Sequence, residues 1–237
     1  MQITCHMISS VDGRQVASRW TRAADPAADM HKAYAEAAAK LGADGWIVGR
    51  KTMAEFAGDI VEVREPVEGH PTSFVSTFFG NRKDRPLAIV FDTHGTLHYK
   101  SNTLPTGEHI VAILGSHVTR AYQKELEQVG VSYIVRTPGK PEEETLDALK
   151  HIEKDFGVKH LLLEGGGHTN GTFLHMKLVD SMSVIVYPGL DGRAGIPSIV
   201  EFEDNAVENP MDGLTLELTD CEKLEGGLVW LRYAVNR

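Results

Sequence analysis

The sequence predicts a single three-layer α/β/α domain over residues 1–237, with a central, mostly parallel mixed sheet. Three observations point there. Short apolar runs alternate with segments of helical period through most of the chain. Several runs, such as Leu161-Leu162-Leu163 and Ile110-Val111-Ala112-Ile113-Leu114, show no polar alternation, which marks inner strands covered on both faces. The last runs look antiparallel and read as a hairpin-like edge.

In chain order, the first strand runs from Ile3 to Ile8 and stops in the polar turn Ser9-Ser10-Val11-Asp12-Gly13-Arg14. Asp25-Pro26 supplies an N-cap followed by proline at the first helical position. Met30, Ala33, Tyr34, Ala37 and Leu41 then form one apolar stripe, and Gly42 ends the helix. A strand from Gly45 to Val48 opens into a short helix at Arg50. Residues 58–86 break the alternation: they are polar, hold Pro66 and His70-Pro71, and include Phe74, Phe78 and Phe79. They are expected to form an irregular insertion, either a lid or interface element or a surface excursion. Strands follow at Leu87 to Phe91, Ile110 to Leu114 and Ser132 to Val135, with a helix from near Val118 to Gly130. The next helix follows Pro141-Glu142-Glu143-Glu144, an acidic first turn that suits the helix dipole, and ends at Gly157. The remaining strands are His160 to Leu163, Met182 to Val186, Leu214 to Leu218 and Leu228 to Ala234.

Composition excludes several classes. With 42% hydrophobic and 24% charged residues, a chain of 237 residues can bury a sizeable core. No apolar run approaches the roughly 20 residues of a membrane helix. Met1 to His6 lacks the basic and apolar regions of a signal peptide, so the expected address is the cytoplasm, with no membrane partner. A formal charge of -9 without a basic stripe argues against nucleic acid. Cys5 and Cys221 have no metal-ligand spacing and read as core thiols. His94 and His98 are four apart but in loop-like surroundings, so no metal is expected.

Two segments carry the strongest chemical signal. In Leu161-Leu162-Leu163-Glu164-Gly165-Gly166-Gly167-His168-Thr169 a buried strand runs into three glycines and then a helix. Backbone N–H groups can converge there on an anion with no Cβ in the way. The segment fits neither G-x-G-x-x-G, since Asn170 stands where the third glycine belongs, nor a P-loop. In the second segment a short strand ends at Gly49 and opens a helix carrying Arg50, Lys51 and Thr52. Two such bends suit a dinucleotide, with its pyrophosphate and, in NADP, a further 2′-phosphate. Without a ligand the same glycines are tight turns, and Arg50 and Lys51 a solvated helix start. A third feature, Ser10, Asp12, Ser18 and Trp20 near the end of the first strand, suits a small polar ring; its plain reading is a turn and a core aromatic.

Ser10-Val11-Asp12-Gly13-Arg14 with Ser18-Arg19-Trp20, Val48-Gly49-Arg50-Lys51-Thr52, Ile89-Val90-Phe91-Asp92 and Leu162-Leu163-Glu164-Gly165-Gly166-Gly167 together resemble the pyrimidine reductases of riboflavin biosynthesis, which share the dihydrofolate-reductase-like fold. The four segments span most of the chain in the family's order. The resemblance implies NADPH, with Gly49, Arg50 and Thr52 at its phosphates and Gly165, Gly166, Gly167 and Thr169 at the pyrophosphate. It implies catalytic roles for Glu164 and Asp12, and places Ser10, Ser18 and Trp20 toward the substrate. The family's acidic pair and proline after the threonine of the second motif are absent. In the matching stretch Arg64 aligns and Asp59 is displaced, and both are carried as substrate-binding candidates.

The implied reaction is hydride transfer to a pyrimidine, pterin-like or other small substrate, with the protein aligning the rings and supplying a proton. Glu164 is expected either to donate that proton, through a carboxyl pKa raised by desolvation, or to brace the glycine turn by accepting its N–H groups. The competing functions are a non-catalytic NADP(H)-binding sensor of the same fold and a structural protein whose glycines are only turns. The late strands offer an edge for a second copy, so a homodimer is expected.

Overall fold

The computed structural model describes residues 1–70, 76–204 and 206–237. In chain order the elements are β1 (Gln2–Ser10), α1 (Met30–Leu41), β2 (Gly45–Gly49), α2 (Arg50–Ala57), β3 (Val61–Val63), β4 (Thr77–Phe78), β5 (Leu87–Phe91), β6 (Leu97–Tyr99), β7 (His109–Leu114), α3 (Arg120–Val129), β8 (Ser132–Val135), α4 (Pro141–Phe156), β9 (His160–Leu163), α5 (Gly167–His175), β10 (Ser181–Tyr187), β11 (Thr215–Lys223) and β12 (Val229–Asn236). Short 3-10 turns lie at Ala17–Arg19, Gly58–Ile60 and Glu225–Gly227. The architecture is mixed α/β with mostly parallel strands, as expected. The chain forms two compact units, one of Met1 with Asp44–Lys159 and one of Gln2–Ala43 with His160–Arg237.

In the first unit the strand order is β2-β5-β7-β8-β4. The first four are parallel and β4 is antiparallel to β8. Val48, Ala88, Val90, Ala112, Leu114 and Val135 pack with Met53 and Ala57 of α2 and Tyr122 and Leu126 of α3. Their alternates Ile47, Ile89, Val111, Ile113 and Ile134 have no exposure either, which is why these runs lack polar alternation. Thr119 caps α3 by accepting the Tyr122 N–H, and Gly130 closes it in the left-handed conformation. The acidic turn at Glu142, Glu143 and Glu144 opens α4, which packs against β8.

Parts of 58–86 are regular. Val61–Val63 pairs antiparallel with Leu97–Tyr99, and Thr77–Phe78 extends the sheet at β8. Phe78 stacks on Tyr133 at 5.8 Å and Phe79 tilts against Phe156 at 5.2 Å. Pro71 and Phe74, singled out in the sequence, lie outside the described residues.

In the second unit the order is β11-β12-β10-β1-β9, with β10, β1 and β9 parallel and β12 and β11 antiparallel. Ala37 of α1 packs on Ile185 and Trp230, flanked by Ile8, Ala33 and Tyr34. The helix starts at Met30 rather than Pro26. Asp29 is the cap, accepting the N–H groups of His31 and Lys32 at 3.0 Å each, while Asp25 accepts from Ala27 at 2.9 Å and keeps Pro26 in a separate turn. Cys5 is buried, but Cys221 is exposed and is no core thiol, because β11 is the outermost strand. Leu216 and Leu218 on the same strand are 55% and 53% exposed. Among the described residues no helix is long and apolar enough to cross a membrane.

Candidate functional site

In the first unit, β2 delivers Gly49 as the N-cap of α2, a residue with no side chain to cap the first-turn N–H groups. Arg50, half-buried at the first helical position, donates from Nη1 to Thr96 Oγ1 at 3.2 Å. Thr96 is itself fixed. Its N–H donates to Asp92 Oδ2 at 2.8 Å and its hydroxyl to Asp92 Oδ1 at 3.1 Å, and Asp92 also accepts the Leu97 N–H at 2.8 Å. The buried carboxylate thereby aims Arg50 through one hydroxyl. Arg50, Lys51, Arg64 and Thr96 line a cleft of about 810 Å³ together with Glu55 and Glu65. Thr52 is half-buried in the first turn of α2. Of the two substrate candidates in the stretch after α2, Arg64 reaches this cleft and pairs with Glu62 at 2.6 Å. Asp59 is exposed in the 3-10 turn outside the cleft lining, and its carbonyl accepts from Lys100 Nζ at 2.9 Å. Sequence reasoning missed Thr96. The usable signal was Asp92 followed by a glycine turn, the pattern of a carboxylate accepting N–H groups a few residues on.

In the second unit, β9 ends at Leu163, and Glu164, 8% exposed, precedes the glycine run. Gly166 is the N-cap of α5 at φ +63°, a conformation L side chains rarely adopt. Gly167 is required for another reason. A Cβ there would lie 2.5 Å from the Ser198 carbonyl oxygen, and one at Gly171 would lie 1.8 Å from that of Glu201. The close approach admitted at Gly167 is therefore that of the chain's own segment 198–201. The Glu201 N–H donates to the Gly167 carbonyl at 3.0 Å, and Asn170, standing in place of a third fingerprint glycine, donates to Ile199 O at 2.8 Å. Gly165, Gly166 and the half-buried Thr169 remain at the opening of the helix.

At the end of β1, buried Ser10 donates to Asp12 Oδ1 at 2.6 Å. Asp12 also accepts the N–H groups of Asp191 at 3.1 Å and Gly192 at 2.8 Å. The Ser10 hydroxyl, then these two N–H groups, hold the Asp12 carboxyl well below the usual carboxylate range. It is a standing anion that ties the 191–192 turn to β1, and it has no proton to give at neutral pH. Ser18 is exposed. Trp20 is buried and stacks on Tyr187 at 5.4 Å. Among the described residues, its Nε1, Arg14 Nε and Gln15 Nε2 are buried donors without a partner. Such donors are costly unless something accepts from them. Gln15 carried no motif signal and Arg14 only its place in the Ser10–Arg14 turn, since only tertiary packing leaves these nitrogens unpaired.

Beside Glu164 lies a polar group that sequence reading did not find: Cys5, His6, Ser183 and Trp230, all buried, with half-buried Tyr34. Burial, then Glu164, pushes the Cys5 thiol up to about 12. Burial pulls His6 down to about 4 and, with Glu164, raises the Tyr34 phenol well above its ordinary value. Among the described residues no group of three His, Cys, Asp or Glu side chains is arranged to hold a metal ion.

The model of one protein family, described as the RibD C-terminal domain, matches residues 1–230. Among solved structures, the chain is similar to a pyrimidine reductase-like protein from Corynebacterium diphtheriae, at 19% identity and TM-score 0.65 over 100% of this chain and 92% of that one. It is similar to Acinetobacter baumannii RibD at 19% identity and TM-score 0.64, covering 99% of this chain but 58% of that one, a little over half its length. It is similar to the riboflavin biosynthesis reductase Rib7 of Saccharomyces cerevisiae at 12% identity and TM-score 0.60, over 99% and 89%. At these identities the likeness shows the fold, dihydrofolate-reductase-like as expected.

Proposed function

The chain belongs to the RibD C-terminal domain family, and from that premise we propose that it is an NADPH-dependent reductase of the riboflavin pyrimidine-reductase type, acting on a pyrimidine, pterin-like or other small substrate. The observation that carries this reading is the basic cleft of the first unit, where Arg50, aimed by Thr96, stands with Lys51 and Arg64. That donor set fits a phosphate monoester, because guanidinium groups bind its oxygens in pairs. The ester that distinguishes NADPH from NADH is the 2′-phosphate, and Arg50 is assigned to it. Gly49 and Thr52 at the start of α2, and Gly165, Gly166 and Thr169 at the start of α5, are assigned to the remaining phosphate oxygens, while Gly167 is given over to segment 198–201.

When bound, the cofactor supplies a hydride; the chain supplies the rest. Asp12 and Ser10 hold the 191–192 turn. Trp20, Arg14 and Gln15 present N–H donors suited to the carbonyl oxygens of a heterocycle, and Ser18, Asp59 and Arg64 complete the proposed substrate contacts. Glu164 holds the proton for charge that develops on the substrate. A second copy of the chain, on the face carrying Leu216 and Leu218, is the proposed protein partner.

Quenching of tryptophan fluorescence by NADPH and NADH tests the cofactor assignment. Arg50→Ala is expected to weaken NADPH binding about 10- to 100-fold, the loss of one charge-assisted hydrogen-bonding side chain, and NADH binding by less than about threefold. Equal weakening of both, or no NADPH binding by the unmodified protein, overturns it. Oxidation of bound NADPH by an added heterocycle separates a reductase from a sensor.

A further inference from the structure

In the first unit the exit turns of the parallel neighbours β5 and β7 are tied to each other. The Asp92 N–H donates to the Ile113 carbonyl at 3.1 Å and the Gly115 N–H to that of Thr93 at 3.0 Å. Each turn also closes on itself, the Gly95 N–H on Asp92 O at 3.1 Å and the Val118 N–H on Gly115 O at 3.2 Å. Glycine is required at 115. A Cβ there would lie 2.6 Å from the Thr93 carbonyl oxygen and 2.6 Å from Cε1 of His117, whose ring folds back over the turn. The two turns bring together His94 and His117, both exposed. Nδ1 of His94 is 3.1 Å from Nε2 of His117, with ring centroids 5.1 Å apart and planes inclined at 51°. His98, four residues after His94, is no part of this pair: it is buried, and its Nδ1 lies 2.6 Å from Glu125 Oε1. The nitrogen facing His94 comes instead from the exit of the neighbouring strand.

Two imidazole nitrogens bound to one ion at about 2.0–2.1 Å, with an angle between right-angled and tetrahedral, stand about 2.9–3.4 Å apart. The separation of His94 Nδ1 from His117 Nε2 falls inside that range. We propose that these two nitrogens chelate a divalent late-transition ion, Cu(II), Ni(II) or Zn(II), with solvent in the remaining positions. Imidazole suits these ions, whereas Mg²⁺ and Ca²⁺ take oxygen ligands. In the ion-free pair one of the two facing nitrogens carries the shared hydrogen. On binding, that ring passes it through solvent to its other nitrogen, so both imidazoles stay neutral and both facing nitrogens present lone pairs. A swing of the two exposed rings then turns both lone pairs onto the ion. The backbone bonds between the turns already fix the two residues, so little order remains to be imposed. Charge beside them is balanced: Arg136, which donates to Thr93 Oγ1 at 3.3 Å, is paired with Glu144 at 3.1 Å. A bound ion clamps the exit of β5 to that of β7, and it does so whether or not the chain is a reductase.

Calorimetric titration of the tag-free protein with nickel chloride, and electron paramagnetic resonance of its Cu(II) form, test the chelate. The unmodified protein is expected to bind Ni(II), and His94→Gln and His117→Gln are each expected to weaken that binding at least about tenfold, the loss of one of two ligands. Both side chains are exposed, so both variants are expected to fold. The Cu(II) spectrum of the unmodified protein is expected to carry the splitting of two equatorial imidazole nitrogens, reduced to one in either variant. His151, which pairs with Asp155 at 2.7 Å, is the control: His151→Gln is expected to leave the titration unchanged. Absence of Ni(II) binding by the unmodified protein overturns the proposal, as does binding that both variants retain. Binding lost in only one of them describes a single ligand rather than a chelate and overturns it too, and a loss in His151→Gln that matches the other two moves the site elsewhere.

Discussion

Replacing Asp92 with alanine tests how the basic cleft is held together. The carboxylate is fully buried and accepts the N–H groups of Thr96 and Leu97 at 2.8 Å each and the Thr96 hydroxyl at 3.1 Å. Alanine strands both backbone donors where water has no access, at about 1–3 kcal/mol apiece. The Thr96 hydroxyl can rotate, and Tyr122 still donates to the Leu97 carbonyl at 2.7 Å, so those groups add little. The sum is about 4 kcal/mol, a fall in thermal midpoint on the order of 10 °C. Asp92→Asn keeps one acceptor oxygen and is expected to lose about half as much. Since Thr96 aims Arg50, the alanine variant is also expected to bind NADPH several-fold more weakly at temperatures where it is folded. Denaturant unfolding followed by circular dichroism measures the first effect and fluorescence titration the second. An alanine variant within about 1 kcal/mol of the parent would refute the claim that this carboxylate organises residues 92–97.

Two further outcomes follow from the second unit. Burial pulls His6 down from its ordinary 6.5 to about 4, so the folded protein binds fewer protons than the unfolded chain between those values. The His6 contribution to stability is complete above about pH 6.5, is lost progressively as pH falls toward 4, and totals about 3 kcal/mol. Urea titrations at stepped pH measure this. His109, held low by its own burial, acts over the same window, so His6→Gln is expected to shallow the slope rather than abolish it; a level profile in the parent contradicts the reasoning. On the outermost strand, Leu218→Asp places a charge on a side chain that is 53% exposed and is expected to convert a dimer to monomers in sedimentation velocity. A parent protein that already sediments as a monomer rules out the β11 face as the dimer contact.

What could be read in advance was local. The strands at Leu87–Phe91 and Ser132–Val135 were legible to the residue because an uninterrupted apolar run bounded by polar turns has one economical conformation inside a covered sheet. Gly42, Gly130 and Gly157 were legible as helix ends because each takes the left-handed conformation that glycine adopts at least cost. The start of α1 was misplaced because Asp25 and Asp29 are equally good caps by composition, and only the hydrogen bonds to His31 and Lys32 decide between them. β11 runs past Leu218 to Lys223 because a register shift between Leu218 and Asp220 carries it over the polar residues that look like its end. β3, β4 and β6 are two or three residues long, too short for any period to register.

The chemistry divides along the same line. Arg50 beside Gly49 was legible because a helix start announces itself in four adjacent residues. The aim of Arg50 was not, since it is set by a carboxylate on β5's exit turn acting through Thr96, 46 residues along the chain. For Glu164 the gap is wider. Its place at the end of a buried strand is a pattern of neighbours, but the Cys5 thiol of β1 and the Tyr34 phenol of α1 that feel it are brought to it only by the sheet and its covering helix. The surroundings that tune a carboxyl group are in this sense set by tertiary packing, which residue type and spacing along one strand do not encode.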